Sequence, residues 1–168
     1  MAFDSRIDEA LLVELSGLSS KLRALRLTRA GLSQETLGMR LRVAGQAVSD
    51  WELGHDHPTL AHLLNWCNQL DARLVIMGPG GQKLRPRLDR RAGEGWAGRE
   101  ARRLATALRA ERRAARRTQP WLARRLGVTY ISVNRWENSN STPRVLVLAQ
   151  WSAAFGCALI LESRFSVP

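Results

Sequence analysis

Arginine dominates the chemistry available to this chain. Of its 26 basic side chains only Lys21 and Lys83 are lysine, and the formal net charge is +11. The guanidinium fork matches phosphate and the guanine edge in bidentate fashion, although a GC-rich genome would give the same arginine bias. A surplus this large points to a polyanion, either nucleic acid or an anionic membrane. Other reactive side chains are sparse. His55, His57 and His62 lie in a polar stretch without convergent ligand spacing, so a loop is expected there and no metal site. Cys67 and Cys157 stand 90 positions apart with no CxxC pair. That excludes a zinc knuckle and a disulfide framework, and leaves two small buried apolar side chains. There is no nucleophile–base pair, phosphate loop or paired ligand motif, so no enzyme, no catalytic residue and no cofactor are expected. Glu52 and Glu137 remain, each directly after a tryptophan.

The elements that position these residues come in two copies. Leu41-Arg-Val-Ala-Gly-Gln-Ala-Val-Ser-Asp-Trp-Glu52 is matched by Leu126-Gly-Val-Thr-Tyr-Ile-Ser-Val-Asn-Arg-Trp-Glu137. An offset of 85 aligns Trp51 with Trp136, and also Gln34 with Gln119, Leu37 with Leu122, Val48 with Val133, Pro58 with Pro143, Trp66 with Trp151 and Val75 with Ile160. One rule over so many apolar and special positions marks a duplication. One extra residue near Ala30 breaks the register upstream.

Each copy reads as short helices followed by a strand. In the first, Ile7, Leu11, Leu15, Leu18, Leu22 and Leu25 predict a helix from about Asp4 to Arg29, with Ser16-Gly17 as a candidate division. Ser33 caps a helix from Gln34 to Leu41, and another runs from Gly45 to Leu53. A polar loop leads to a helix buried through Leu60, Leu63, Leu64, Cys67 and Leu70. Ala72 to Met77 is rich in β-branched residues and reads as a strand. The second copy predicts helices over Trp96–Arg116, from Thr118 onward, over Tyr130–Asn138 and over Pro143–Phe155, then a strand from Cys157 to Glu162. The domains are therefore residues 1–77 and 96–168, joined by a Gly-, Pro- and Arg-rich linker at 78–95.

The joint pattern resembles the Cro/lambda-repressor-like, or XRE-type, helix-turn-helix over about residues 18–70 and 101–156. It consists of Gln-x-x-Leu-(small)-x-x-Leu-x-Val, a turn, an inner Val with Trp-Glu, and then Pro. The resemblance implies a mostly α fold of two tandem domains, each ending in a short strand. It also implies that the second helix of each pair lies in the major groove of double-stranded DNA. Readers in that family sit at the first two positions of this helix and one turn on. These are Gly45, Gln46 and Asp50, with Ser49 nearby, in the first copy. In the second they are Tyr130, Ile131 and Arg135, with Ser132 and Asn134 nearby. Gln34 and Gln119 would touch phosphate and base edges. Gln46 suits adenine, Asp50 cytosine N4, Arg135 guanine, and Tyr130 and Ile131 a thymine methyl. Glu52 and Glu137 would pair with Arg26 and Arg112 and take no part in catalysis. Trp51 and Trp136 would be core residues.

The copies depart from that pattern unequally. Arg42 stands where the turn glycine is usual, and Ala44 where a capping Ser or Thr is usual. Arg116-Arg117 replaces a glycine and an apolar residue, so a differently packed first corner is expected. Ser139 stands where the first copy has Gly54. Residues 1–77 hold 8 basic and 9 acidic side chains, whereas 78–168 hold 18 and 6. The arginines of 109–117 are read as phosphate contacts, and Arg85-Pro-Arg87 as a solvated linker in preference to a minor-groove contact.

With 168 residues and 45% apolar content, the chain is long and apolar enough for a core. No apolar run reaches the roughly 18–20 residues of a bilayer span, and the acidic start is unlike a signal or transit peptide. A cytoplasmic, nucleoid-associated protein is expected. Strands of this size need a partner. Pairing with each other gives a monomeric pseudo-dimer, and pairing between chains gives a homodimer. The functional expectation is a sequence-specific transcriptional regulator, a repressor, reading two different half-sites. The alternative is an antitoxin-like regulator whose first copy binds a protein.

Overall fold

The computed structural model describes residues 5–164, apart from the side chains at 5–7, 29 and 30. Asp4, the expected start of the first helix, lies outside them. The first repeat comprises α1 (Ser5–Leu25), a π turn (Arg26–Ala30), α2 (Gln34–Leu41), α3 (Gly45–Leu53), α4 (Leu60–Gln69) and β1 (Ala72–Met77). The second comprises α5 (Trp96–Ala114), α6 (Gln119–Leu126), α7 (Tyr130–Glu137), α8 (Val145–Ala154) and β2 (Ala158–Ser163).

Several boundaries differ from the sequence reading. Strand β2 is shifted by one residue from the expected Cys157–Glu162, and α7 ends at Glu137 instead of Asn138. Helix α1 is not divided at Ser16-Gly17. A Cβ on Gly17 would meet nothing within 4 Å, so this glycine sits on an open face and the helix runs on through it. Helix α5 stops at Ala114, because Arg116 turns left-handed at φ 53°. Arg144 is extended and caps α8, so that helix starts at Val145 instead of Pro143. The register break also has a structural form. A π turn accommodates one residue more than an α turn, and Arg26–Ala30 is where the first repeat carries its extra residue.

The strands pair with each other in antiparallel fashion, Ala72 opposite Ser163 and Met77 opposite Ala158. Val75 lies opposite Ile160, its own counterpart in the duplication. A local two-fold relation therefore passes through that pair, as in an isologous dimer interface.

The long first helices cross between repeats. Helix α1 packs on α3 of its own repeat but also on α8 and β2 of the other, and α5 packs on α7 but also on α4 and β1. Leu11, Leu15, Leu18 and Leu22 of α1 share one core with Leu104 and Leu108 of α5, and with Trp66 and Trp151. Glu14 and Glu100, 86 positions apart, each address the opposite strand. Glu14 accepts from the Leu159 N–H at 3.0 Å. Buried Glu100 accepts from Arg73 at 2.8 Å and from Arg103, whose guanidinium also donates to the Leu74 carbonyl. The indole N–H groups of Trp66 and Trp151 are buried without a partner, one in each repeat.

The stretch after β1 is more ordered than a solvated linker. Gly78 and Gly81 form a turn, and the Leu84 N–H donates to the Ile76 carbonyl at 2.9 Å, so the chain folds back along β1. Lys83 and Arg85 both bind Glu162, at 2.5 and 2.8 Å, which fixes Arg85 to the sheet.

Candidate nucleic-acid interface

Each repeat presents two short helices joined by a three-residue turn. In the first, Leu37, Leu41, Val48 and Trp51 are buried and hold α3 against the scaffold. Leu122, Leu126, Val133 and Trp136 do the same for α7. The close approach needs a small residue in the first helix of the pair. A Cβ on Gly38 would lie 2.8 Å from the Val43 carbonyl oxygen. Ala123 is the corresponding small residue of the second repeat, and it is buried. The turns pass through Arg42 at φ 59° and Gly127 at φ 65°. Ala44 caps α3 without a side-chain bond, whereas Thr129 accepts from the Ser132 N–H at 3.2 Å.

A buried glutamate anchors each pair of helices. Glu52 accepts from Arg26 Nε at 2.7 Å and Nη2 at 2.9 Å, and from Gln34 Nε2 at 2.8 Å. Glu137 accepts from Arg112 Nε at 2.6 Å and Nη2 at 2.8 Å, and from Gln119 Nε2 at 2.8 Å. Burial alone would raise the Glu52 pKa. The hydrogen bonds from Arg26 and Gln34, with the charges of Arg26 and Arg23, more than offset this and hold the carboxyl below its usual range. The second arginines, Arg23 and Arg109, lie 3.9 and 3.8 Å from the same carboxylates. The sequence reading missed both, although they stand at the same 86-residue offset as Arg26 and Arg112.

Both pairs also close the corner ahead of the helix-turn-helix. Arg26 donates to the Leu32 carbonyl at 2.7 Å and Arg112 to the Arg117 carbonyl at 2.6 Å. Gly31 and Arg116 share the left-handed backbone there, at φ 56° and 53°. The corner at Arg116-Arg117 thus keeps the same backbone bond but is packed differently, as expected: Leu32 packs against the core, whereas its counterpart Arg117 is exposed. The backbone bond that holds the corner does not depend on the side chains at those two positions.

The outer faces of α3 and α7 differ. Gln46 is exposed, but its Nε2 donates to Asp50 Oδ1 at 2.9 Å, so the two expected readers engage each other. Ser49 is half-buried beside them. Gly45 opens α3 under tight packing, since a Cβ there would come within 3.0 Å of Glu35 Cα. In the second repeat Tyr130 and Ile131 stand out, 57% and 53% exposed. The Ser132 hydroxyl bonds Thr129 Oγ1 at 3.0 Å. Asn134 donates to Gln119 Oε1 at 3.3 Å and accepts from Asn138 at 3.2 Å, so a hydrogen-bonded chain runs from Glu137 to the outer face. Arg135 is exposed, and its guanidinium has no partner among the described residues.

The remaining candidates fall into place around this frame. Of the arginines at 109–117, Arg112 is internal and Arg117 lies over the Trp121 ring at 4.7 Å, while Arg113 and Arg116 are exposed. The reading of that whole run as phosphate contacts is thus narrowed to its outward members. His62 packs on the Trp51 ring at 5.5 Å, and His55 and His57 are exposed. Burial pushes the Cys67 thiol up to about 12 and the Cys157 thiol to about 11, so both remain unreactive thiols.

A helix-turn-helix family model matches residues 22–75 and again 108–160. The chain belongs to the helix-turn-helix family. It is of the Cro/lambda-repressor type, carried twice in tandem, and that family consists of DNA-binding transcription regulators rather than enzymes. No curated protein and no solved structure matches the chain. Among the described residues of this helix-turn-helix protein, no helix is long and apolar enough to cross a membrane.

Proposed function

We propose that the protein is a transcriptional repressor that reads one asymmetric double-stranded DNA site, with α3 and α7 in successive major grooves. The carrying observation is that two helix-turn-helix units of one skeleton share a single core yet present unlike side chains. Phosphate contacts from the outward arginines would set affinity, and Arg135, Tyr130 and Ile131 would set most of the specificity. Gln34 and Gln119, held by the buried glutamates, would position the first helix of each pair on the backbone. The chain would act as a monomeric pseudo-dimer on the nucleoid, in the cytoplasm. Selection of bound sequences from random DNA, with the mass of the complex measured, tests this. One chain on an asymmetric site is expected, and a perfect palindrome bound by two chains would overturn the reading.

One observation favours a second reading, in which the first repeat binds a protein in an antitoxin-like arrangement. Leu27, Met39 and Leu53 are exposed, and their counterparts are Arg113, Arg124 and Asn138. A partner retained through high-salt purification, and lost on Met39→Arg with Leu53→Asn, would support it.

A further inference from the structure

We infer that a groove on the second repeat binds a small planar organic anion, an aromatic monocarboxylate in the simplest case. Its apolar surface is Trp121, Phe155 and Pro79, and its cations are Arg117, Arg124 and Arg125. The cavity measures about 810 Å³, within the roughly 300–1,000 Å³ of small-molecule sites. The Trp121 and Phe155 rings lie 6.0 Å apart and tilted, and both are only half-buried, so part of each remains available for stacking. Arg117 already sits over Trp121, with its guanidinium carbon 4.7 Å from the ring centre. Apolar ring faces beside exposed guanidinium groups suit a ligand with a flat body and one acidic group, through stacking and a charge-assisted bidentate bond. Glu111 also lines the groove and disfavours a polyanion.

The duplication supplies a built-in control. The positions equivalent to Trp121, Phe155, Arg117 and Arg124 are Thr36, Leu70, Leu32 and Met39. The fold is the same there, but the aromatic surface and two of the three cations are missing. The groove is therefore a property of the second repeat's side chains and does not come from the helix-turn-helix scaffold. It includes no residue of α7, and Ala154, Phe155 and Pro79 belong to the segments flanking the sheet. A ligand here would leave the recognition helix open.

The test is calorimetric titration of the full chain with naphthoate, and with its uncharged amide as control. Saturable binding of one naphthoate per chain is expected, with affinity for the amide lower by roughly tenfold or more. Arg124→Met, a surface change to the first repeat's residue, should weaken naphthoate by a similar factor. Trp121→Phe should retain binding, whereas Trp121→Thr with Phe155→Leu should abolish it. A saturating random duplex should leave the naphthoate affinity unchanged. Non-saturable binding, equal affinity for acid and amide, an unaffected Arg124→Met variant or displacement by the duplex would each overturn the site.

Discussion

At four places in each repeat the chain turns left-handed, and the two repeats resolve these turns differently. The first repeat uses Gly31 and Gly54 but Arg42 and Asp71; the second uses Gly127 and Gly156 but Arg116 and Ser139. Every pair contains one glycine and one residue with a side chain, yet the φ values stay between 51° and 75°. A left-handed non-glycine residue costs roughly 1–2 kcal/mol. The buried glutamate clusters and shared core hold the backbone in place despite that cost. The skeleton has thus been conserved by packing while the surface diverged. The cation-poor face of α3, with Gln46 tied to Asp50, and the arginine-bearing face of α7 are the clearest products.

The comparison is most severely tested at the glutamates. Glu52→Ala and Glu137→Ala each leave buried arginines unpaired and should each cost about 3–5 kcal/mol in urea unfolding. Losses that differ between the two by more than about 2 kcal/mol would show that the clusters are not equivalent in energy. Acid should attack the Glu52 cluster and the buried Glu100. Glu52 and Glu100 both titrate below the ordinary carboxylate value of 4.5 in the folded chain. Their contribution is therefore present above that value and is lost as pH falls through the lower folded pKa values. Unfolding followed from pH 6 downward should steepen there, and Glu100→Gln should flatten the slope.

A smaller effect is expected on the reading faces. Arg135→Ala should weaken binding to the selected site by about 1–3 kcal/mol while leaving random DNA nearly unchanged. Asp50→Asn, which removes a carboxylate from the corresponding face, should strengthen binding to random DNA, most clearly at low salt. Equal losses on selected and random DNA for Arg135→Ala would remove it from the readers. Smallest are the turn and cap. Arg42→Gly and Ala44→Thr should each stabilise by about 1 kcal/mol, and the reciprocal Gly127→Arg and Thr129→Ala should destabilise by a similar amount. Thermal melting of the four variants would check this symmetry.

Much of the architecture was legible because duplication multiplies weak signals. The offset of 85, the Trp-Glu pairs and the strand at Ala72–Met77 could be read from residue types alone, whereas the pairing of Arg26 and Arg112 with their glutamates followed only from the resemblance to the helix-turn-helix family. The crossing of α1 and α5 was not legible. A helical stripe shows which face is buried but not whose residues bury it. The Gln46–Asp50 bond was within reach, since residues four apart share a helix face. The return of residues 82–84 onto β1 was hidden because glycine, proline and arginine suggest a solvated segment. Main-chain bonds to a strand edge leave no mark on side-chain pattern.

The crossing helices have a consequence for how the protein meets its target. Two separate chains sharing such a core would have to find each other by mass action before both recognition helices were in place. Here the partner is tethered within one chain, so the two repeats meet at an effective concentration set by the connection and not by the amount of protein. Dilution does not dissociate the pair. On the proposal that one chain fills one site, occupancy should rise with the first power of protein concentration, graded and non-sigmoidal.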